Sequence, residues 1–161
     1  VEIEDRPILP WAYIVTLLGE LTVLATLVAI FGRHAPRSYE AGWVGAGSMI
    51  AMQVYSLRRR IRALRNLGPL RAWLDLHIFL GFQGYILVGY HSVGISLNAS
   101  LAAINFGLVT LVVTTGVIGR HLYTLTASAW FARWSLVHKP LSVVLLGITI
   151  LHVLAHYAYA T

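Results

Sequence analysis

The chain has 161 residues, 58% of them hydrophobic and 11% charged, and a mean hydropathy of +0.73; soluble domains carry about 25% charged residues, so this composition points to an integral membrane protein. It contains no cysteine, which excludes disulfides, thiolate zinc sites, cysteine-ligated iron–sulfur clusters and c-type haem attachment on this chain. The net charge of +6 is gathered between apolar stretches, where it reads as a membrane-orientation signal, and no nucleic-acid partner is expected.

A hydrocarbon core about 30 Å thick takes roughly 20 helical residues to cross. Five apolar stretches qualify, so the expected fold class is all-α: an integral membrane helical bundle of five transmembrane helices forming a single membrane domain. The opening VEIEDRP is acidic and precedes a first span, Pro10–Phe31, that is too long for a signal peptide and is expected to be retained. Glu20 falls about midway along it. A carboxyl group there serves either as a proton acceptor, as for a quinol, or as a protonated hydrogen-bonding partner of another helix.

The second span is placed at Ala41–Leu57, where Gly42, Gly45 and Gly47 lower the hydropathy but suit close helix packing. A basic interval follows, with Arg58, Arg59, Arg60, Arg62, Arg65 and Arg71. By the positive-inside rule this interval is cytoplasmic, which puts the N-terminus on the same side and the C-terminus outside. Asp75 is placed near the interface, within reach of these arginines, and no acidic residue follows it. Paired-carboxylate hydrolysis therefore has nothing to work with in the second half of the chain.

The third, fourth and fifth spans are placed at Ala72–Gly94, Leu101–Gly119 and Ser135–Ala160. The third and fifth then run in the same direction. His77 and His91 lie 14 residues apart on the third, and His138 and His152 lie 14 apart on the fifth. Fourteen residues advance about 21 Å and return to within about 40° of the same helix face. An imidazole in hydrocarbon is costly unless something binds it.

Two co-directional helices with matched histidine pairs place His77 opposite His138 and His91 opposite His152, each pair at one depth. Facing imidazoles are what a six-coordinate haem iron requires, so two stacked b haems are expected. A tetrahedral zinc site needs its ligands within a few ångströms and fits this spacing poorly. A proton relay would not require equal spacing, and the remaining alternative is that the histidines bond neighbouring helices.

The segments LHIFLGFQGYILVGYHS (76–92) and WSLVHKPLSVVLLGITILHVLAHY (134–157) resemble the haem-carrying helices of membrane di-haem cytochromes b. The resemblance covers roughly residues 70–160 and extends to two families, the quinol-oxidising cytochrome b and the transmembrane core of ferric reductases and NADPH oxidases. Residues 10–57 then supply two additional N-terminal spans. What the resemblance implies is haem ligation by His77, His91, His138 and His152; substrate chemistry does not carry over.

Gly81 and Gly84 lie on or near the ligand face of the third span and make room for either a porphyrin edge or a neighbouring helix. Arg71, Arg120 and Lys139 flank the expected cytoplasmic-side haem, where each either pairs with propionates or faces solvent and lipid phosphates as an ordinary interfacial cation. His156 is one turn past His152 but breaks the matched spacing, while His121 and His34 read as interfacial. The function expected is transmembrane electron transfer, as the cytochrome b subunit of a larger complex in a bacterial inner membrane, exchanging electrons with the quinone pool or redox partner subunits. A quinone-reactive oxidoreductase subunit and a non-redox transporter or assembly subunit are the alternatives.

Overall fold

The computed structural model describes residues 9–64, 66–94, 100–124 and 128–159. Six α-helices account for most of them: α1 Trp11–Phe31, α2 Ser38–Ala51, α3 Val54–Arg60, α4 Leu70–His91, α5 Leu101–Thr124 and α6 Ser128–Tyr159. Short 3-10 turns occupy Gly32–His34 and Arg62–Leu64, and no strand occurs among the described residues. Arg65 and the acidic residues Glu2, Glu4 and Asp5 lie outside the described residues.

Four helical stretches, Trp11–His34, Leu70–His91, Leu101–His121 and Ala129–Ala158, are long and apolar enough to cross a membrane. Their surfaces agree with that. No residue of α1 is buried, and Leu18, Val23, Ile30, Leu136, Val143 and Leu154 all stand exposed. In water so continuous an apolar exterior would aggregate, whereas in lipid it is already solvated. Hydroxyls on these helices are satisfied locally: Thr16, Thr22, Thr110 and Thr114 each donate to the carbonyl four residues earlier.

The expected second span is corrected. Instead of one helix over Ala41–Leu57, the chain forms a 14-residue helix, α2, and the seven-residue α3, with a turn at Met52–Gln53. No proline or glycine marks the break. At 14 residues α2 is about 21 Å long, short of a full crossing. The fifth expected span also differs, because α6 begins at Ser128 rather than Ser135. Residues 128–134 (SAWFARW) contain no helix breaker, so the helix continues below the apolar run.

Packing divides the chain into two compact units, Val1–Val93 and Gly94–Thr161. In the first, α2 runs antiparallel to α4, with Ser38 beside His91, Gly45 beside Gly84 and Met52 beside His77. A Cβ on Gly45 would lie 3.1 Å from the Gly84 carbonyl oxygen, and one on Gly84 would lie 3.0 Å from that of Gly45. The absent side chains therefore set how closely the two helices approach. Parallel to α4, α1 stacks Tyr13 on Phe79 at 4.6 Å and packs Leu24, Leu27 and Val28 on a buried cluster of Ala35, Ala41, Leu87 and Tyr90. In the second unit α5 and α6 pair antiparallel, with Val109, Val112 and Leu145 buried and Thr149 Oγ1 donating to Asn105 Oδ1 at 3.0 Å.

Candidate functional site

The two histidines of α4 share one face, as their spacing predicts, and that face turns to α2. His91 Nδ1 lies 2.8 Å from the Ser38 carbonyl oxygen and His77 Nδ1 lies 3.0 Å from that of Met52. A carbonyl only accepts, so in each ring Nδ1 carries the hydrogen and the lone pair of the neutral imidazole sits on Nε2. Fourteen residues separate Ser38 from Met52, just as fourteen separate His77 from His91. The α2 backbone thus offers acceptors at the same pitch at which α4 presents imidazoles.

Helix carbonyls are normally occupied by the amide four residues on, and α2 opens these two by different means. At Ser38 the residue one turn on is Gly42, whose Cβ, if present, would lie 2.8 Å from Cγ and Nδ1 of His91. The bare backbone lets the ring lie against the helix and reach the carbonyl. At Met52 the helix breaks: the Ser56 amide bonds Gln53 O at 2.9 Å instead, and Met52 O is left with the Tyr55 amide at 3.3 Å. His77 occupies the acceptor so released, and Tyr55 packs against its ring at 5.3 Å.

The second unit repeats the device on other residues. His138 Nδ1 lies 2.9 Å from Thr115 Oγ1. The Thr115 hydroxyl spends its one hydrogen on the Val112 carbonyl, 2.8 Å away, so it accepts from His138. Once more Nδ1 is the protonated nitrogen. Trp134 stacks on His138 at 4.9 Å and donates Nε1–H to the Thr115 carbonyl at 2.6 Å. Four residues beyond Thr115 stands Gly119, where any Cβ would overlap the Trp134 indole. His152 is half-buried on α6, one turn after Thr149.

No family model, curated protein or solved structure matches the chain. The site is therefore read on its chemistry alone. Three of the four paired imidazoles are held in the Nδ1–H form by helix acceptors. A histidine that ligates a metal through Nε2 needs this arrangement, with the other nitrogen donating to a carbonyl, hydroxyl or water. Among the described residues, no three His, Asp or Glu side chains gather around one point.

The other expected site residues are scattered more widely. Gly84 faces the α2 backbone, the helix-packing use of the two foreseen for it, and a Cβ on Gly81 would meet Met52 Sδ at 3.6 Å. Arg71 and Lys139 are exposed, and Arg120 is half-buried. His34, His121 and His156 are exposed. Arg58, from the basic interval, folds inward: its guanidinium donates to Gly68 O at 2.5 Å and lies over the Trp73 ring. Asp75 is buried on α4. Sequence reasoning placed Gly42 in helix packing without the His91 ring it receives, and missed the roles of Thr115, Trp134 and the carbonyls of Ser38 and Met52. Gly42 and Gly119 leave a sequence trace only as glycines on apolar helices, and that trace does not name the ring that each receives.

Proposed function

We propose that this protein is a membrane cytochrome that carries electrons through two b haems, one of which His77 and His138 would hold and the other His91 and His152. The observation that carries the reading is the tautomer. His77, His91 and His138 each donate Nδ1–H to a helix acceptor, which leaves Nε2 as the electron-pair donor, and the two histidine pairs repeat at one 14-residue spacing.

When bound, haem supplies the one-electron redox chemistry. The chain's own residues do the rest. Ser38, Met52 and Thr115 fix the rotation of the imidazoles and raise their basicity as ligands. Apolar helix faces exclude water and set a low dielectric around the site. Arg71, Arg120 and Lys139 are the cations available to propionates on one side. Electrons enter and leave through a membrane quinone or partner subunits in a larger complex. The basic interval 58–71 orients the protein with that end in the cytoplasm.

The same hydrogen bonds favour a second reading, in which the histidines staple α2 to α4 and α5 to α6 and bind nothing else. A pyridine haemochrome assay on the purified protein separates the two. The cytochrome reading expects two b haems per chain and sharp reduced bands in the visible spectrum. Protein that remains colourless after expression with ample haem overturns it.

A further inference from the structure

Between α1, α2 and α4, away from the four histidines, lies a cavity of about 390 Å³, a volume within the usual range for small-molecule sites. It runs from Glu20 and Gln83 at one end, past Leu24 and Leu87, to Tyr90 and Arg37 at the other. Glu20 is mid-way along α1 and Arg37 belongs to the connection before α2, so the cavity reaches from the level of the membrane centre to its surface. Tyr90 closes the outer part by donating its hydroxyl to Pro36 O at 2.7 Å.

The deep end is a built polar site. Ser48 Oγ shares its one hydrogen between Val44 O at 3.0 Å and Gln83 Oε1 at 3.3 Å, which orients the Gln83 carboxamide so that its amide donates to the Glu20 carboxyl. The second carboxyl oxygen of Glu20, Oε2, is buried and has no hydrogen-bond partner among the described residues. A buried polar atom left unsatisfied costs about 1–3 kcal/mol, so a polar atom of an occupant belongs there.

We infer that this cavity binds the ring of a membrane-soluble quinone or quinol, with one ring oxygen on Glu20 and the tail leaving toward lipid. A carboxyl donates to a carbonyl when protonated and accepts from a hydroxyl when ionised, so the same oxygen suits both forms of that ligand class. An acyl chain fits the leucines but offers Glu20 nothing. A bare cation finds apolar walls where its other ligands should be. The inference rests on the proposed exchange of electrons with a membrane quinone and gives that exchange a site, built from residues other than the four paired histidines.

The test is photolabelling of the full chain in phosphatidylcholine nanodiscs with an azido derivative of a short-tailed benzoquinone. Label is expected in peptides covering residues 20–27, 36–44 and 83–90, with unlabelled short-tailed quinone competing for it and palmitate leaving it in place. Filling the cavity with Leu24→Trp is expected to reduce labelling by at least about tenfold, and Glu20→Leu to weaken it by about tenfold, the equivalent of one buried hydrogen bond. Label confined to other peptides overturns the inference. Competition by palmitate as effective as that by quinone also overturns it and makes the cavity an acyl-chain groove. The competition arms use unmodified protein, so the result stands even if a variant fails to fold. Labelling is read without haem, and it can fail in a protein holding two haems or succeed in one holding none.

Discussion

In hydrocarbon a ring N–H has no water to bond, so each buried imidazole or indole must find an acceptor on a neighbouring helix. Helix carbonyls are the acceptors in supply, but each is already engaged along its own helix and shielded by the side chain one turn on. Gly42 removes that shield at Ser38 and Gly119 removes it at Thr115, while the break after Ala51 exposes the carbonyl of Met52. Thr115 adds its hydroxyl as the acceptor for His138. Thr115→Val keeps the shape and removes that acceptor, leaving the His138 N–H unsatisfied. The expected loss is about 0.5–2 kcal/mol, the range for side-chain hydrogen bonds between membrane helices. Unfolding of the detergent-solubilised protein measures it, with Thr115→Ser restoring most of the loss; a Thr115→Val variant as stable as the parent would show that the bond contributes nothing.

Between elements, the α2–α4 contact is governed by what is missing from it. Gly45 and Gly84 meet backbone to backbone, and the polar groups above and below, His91 with Ser38 O and Ser48 with Gln83, fix one register. A one-residue slip would misplace all of them together. A Cβ on Gly45 would lie 3.0 Å from Val88 Cγ2, an atom that Val88→Cys removes, and 3.1 Å from the Gly84 carbonyl oxygen, so α2 and α4 must part by a few tenths of an ångström to admit it; the chain has no native cysteine, and Gly45→Cys with Val88→Cys reports the register. Oxidation in membranes is expected to join residues 45 and 88, seen as a mobility shift reversed by reductant. Failure of that pair, with cross-linking one turn away instead, would refute the register. The ends of α1 match the span expected at Pro10–Phe31, whereas α4 begins two residues before the expected Ala72 and stops three before the expected Gly94. The break at Met52 could not be read from the sequence, because the group that captures its carbonyl, His77, is 25 residues away in sequence.

On the scale of the molecule, the exposed apolar faces of α1, α5 and α6 are solvated by lipid without a further partner, and four stretches are long and apolar enough to cross a membrane. Within the first unit α1 and α4 are parallel with α2 antiparallel between their ends, so the 32–37 connection and the basic turn at 58–64 fall at opposite ends of that unit. Arg33 and Arg62 are both exposed. Single cysteines at Arg33→Cys and Arg62→Cys are expected to react with an impermeant maleimide from opposite faces of sealed vesicles, with residue 62 on the cytoplasmic face. Labelling of both from one face would contradict the topology.

The sequence by itself determined that the chain is helical with stretches long and apolar enough to cross a membrane, and that His77 and His91 share a face, because hydropathy and the helical repeat are local properties of consecutive residues. Only the tertiary structure decided which nitrogen of His77, His91 and His138 carries the proton, why Gly42 and Thr115 matter, and that Glu20, Ser48 and Gln83 converge beside a cavity. Each of these depends on a hydrogen bond or a close approach between residues distant in the chain. No periodicity encodes such a contact until the helices have packed.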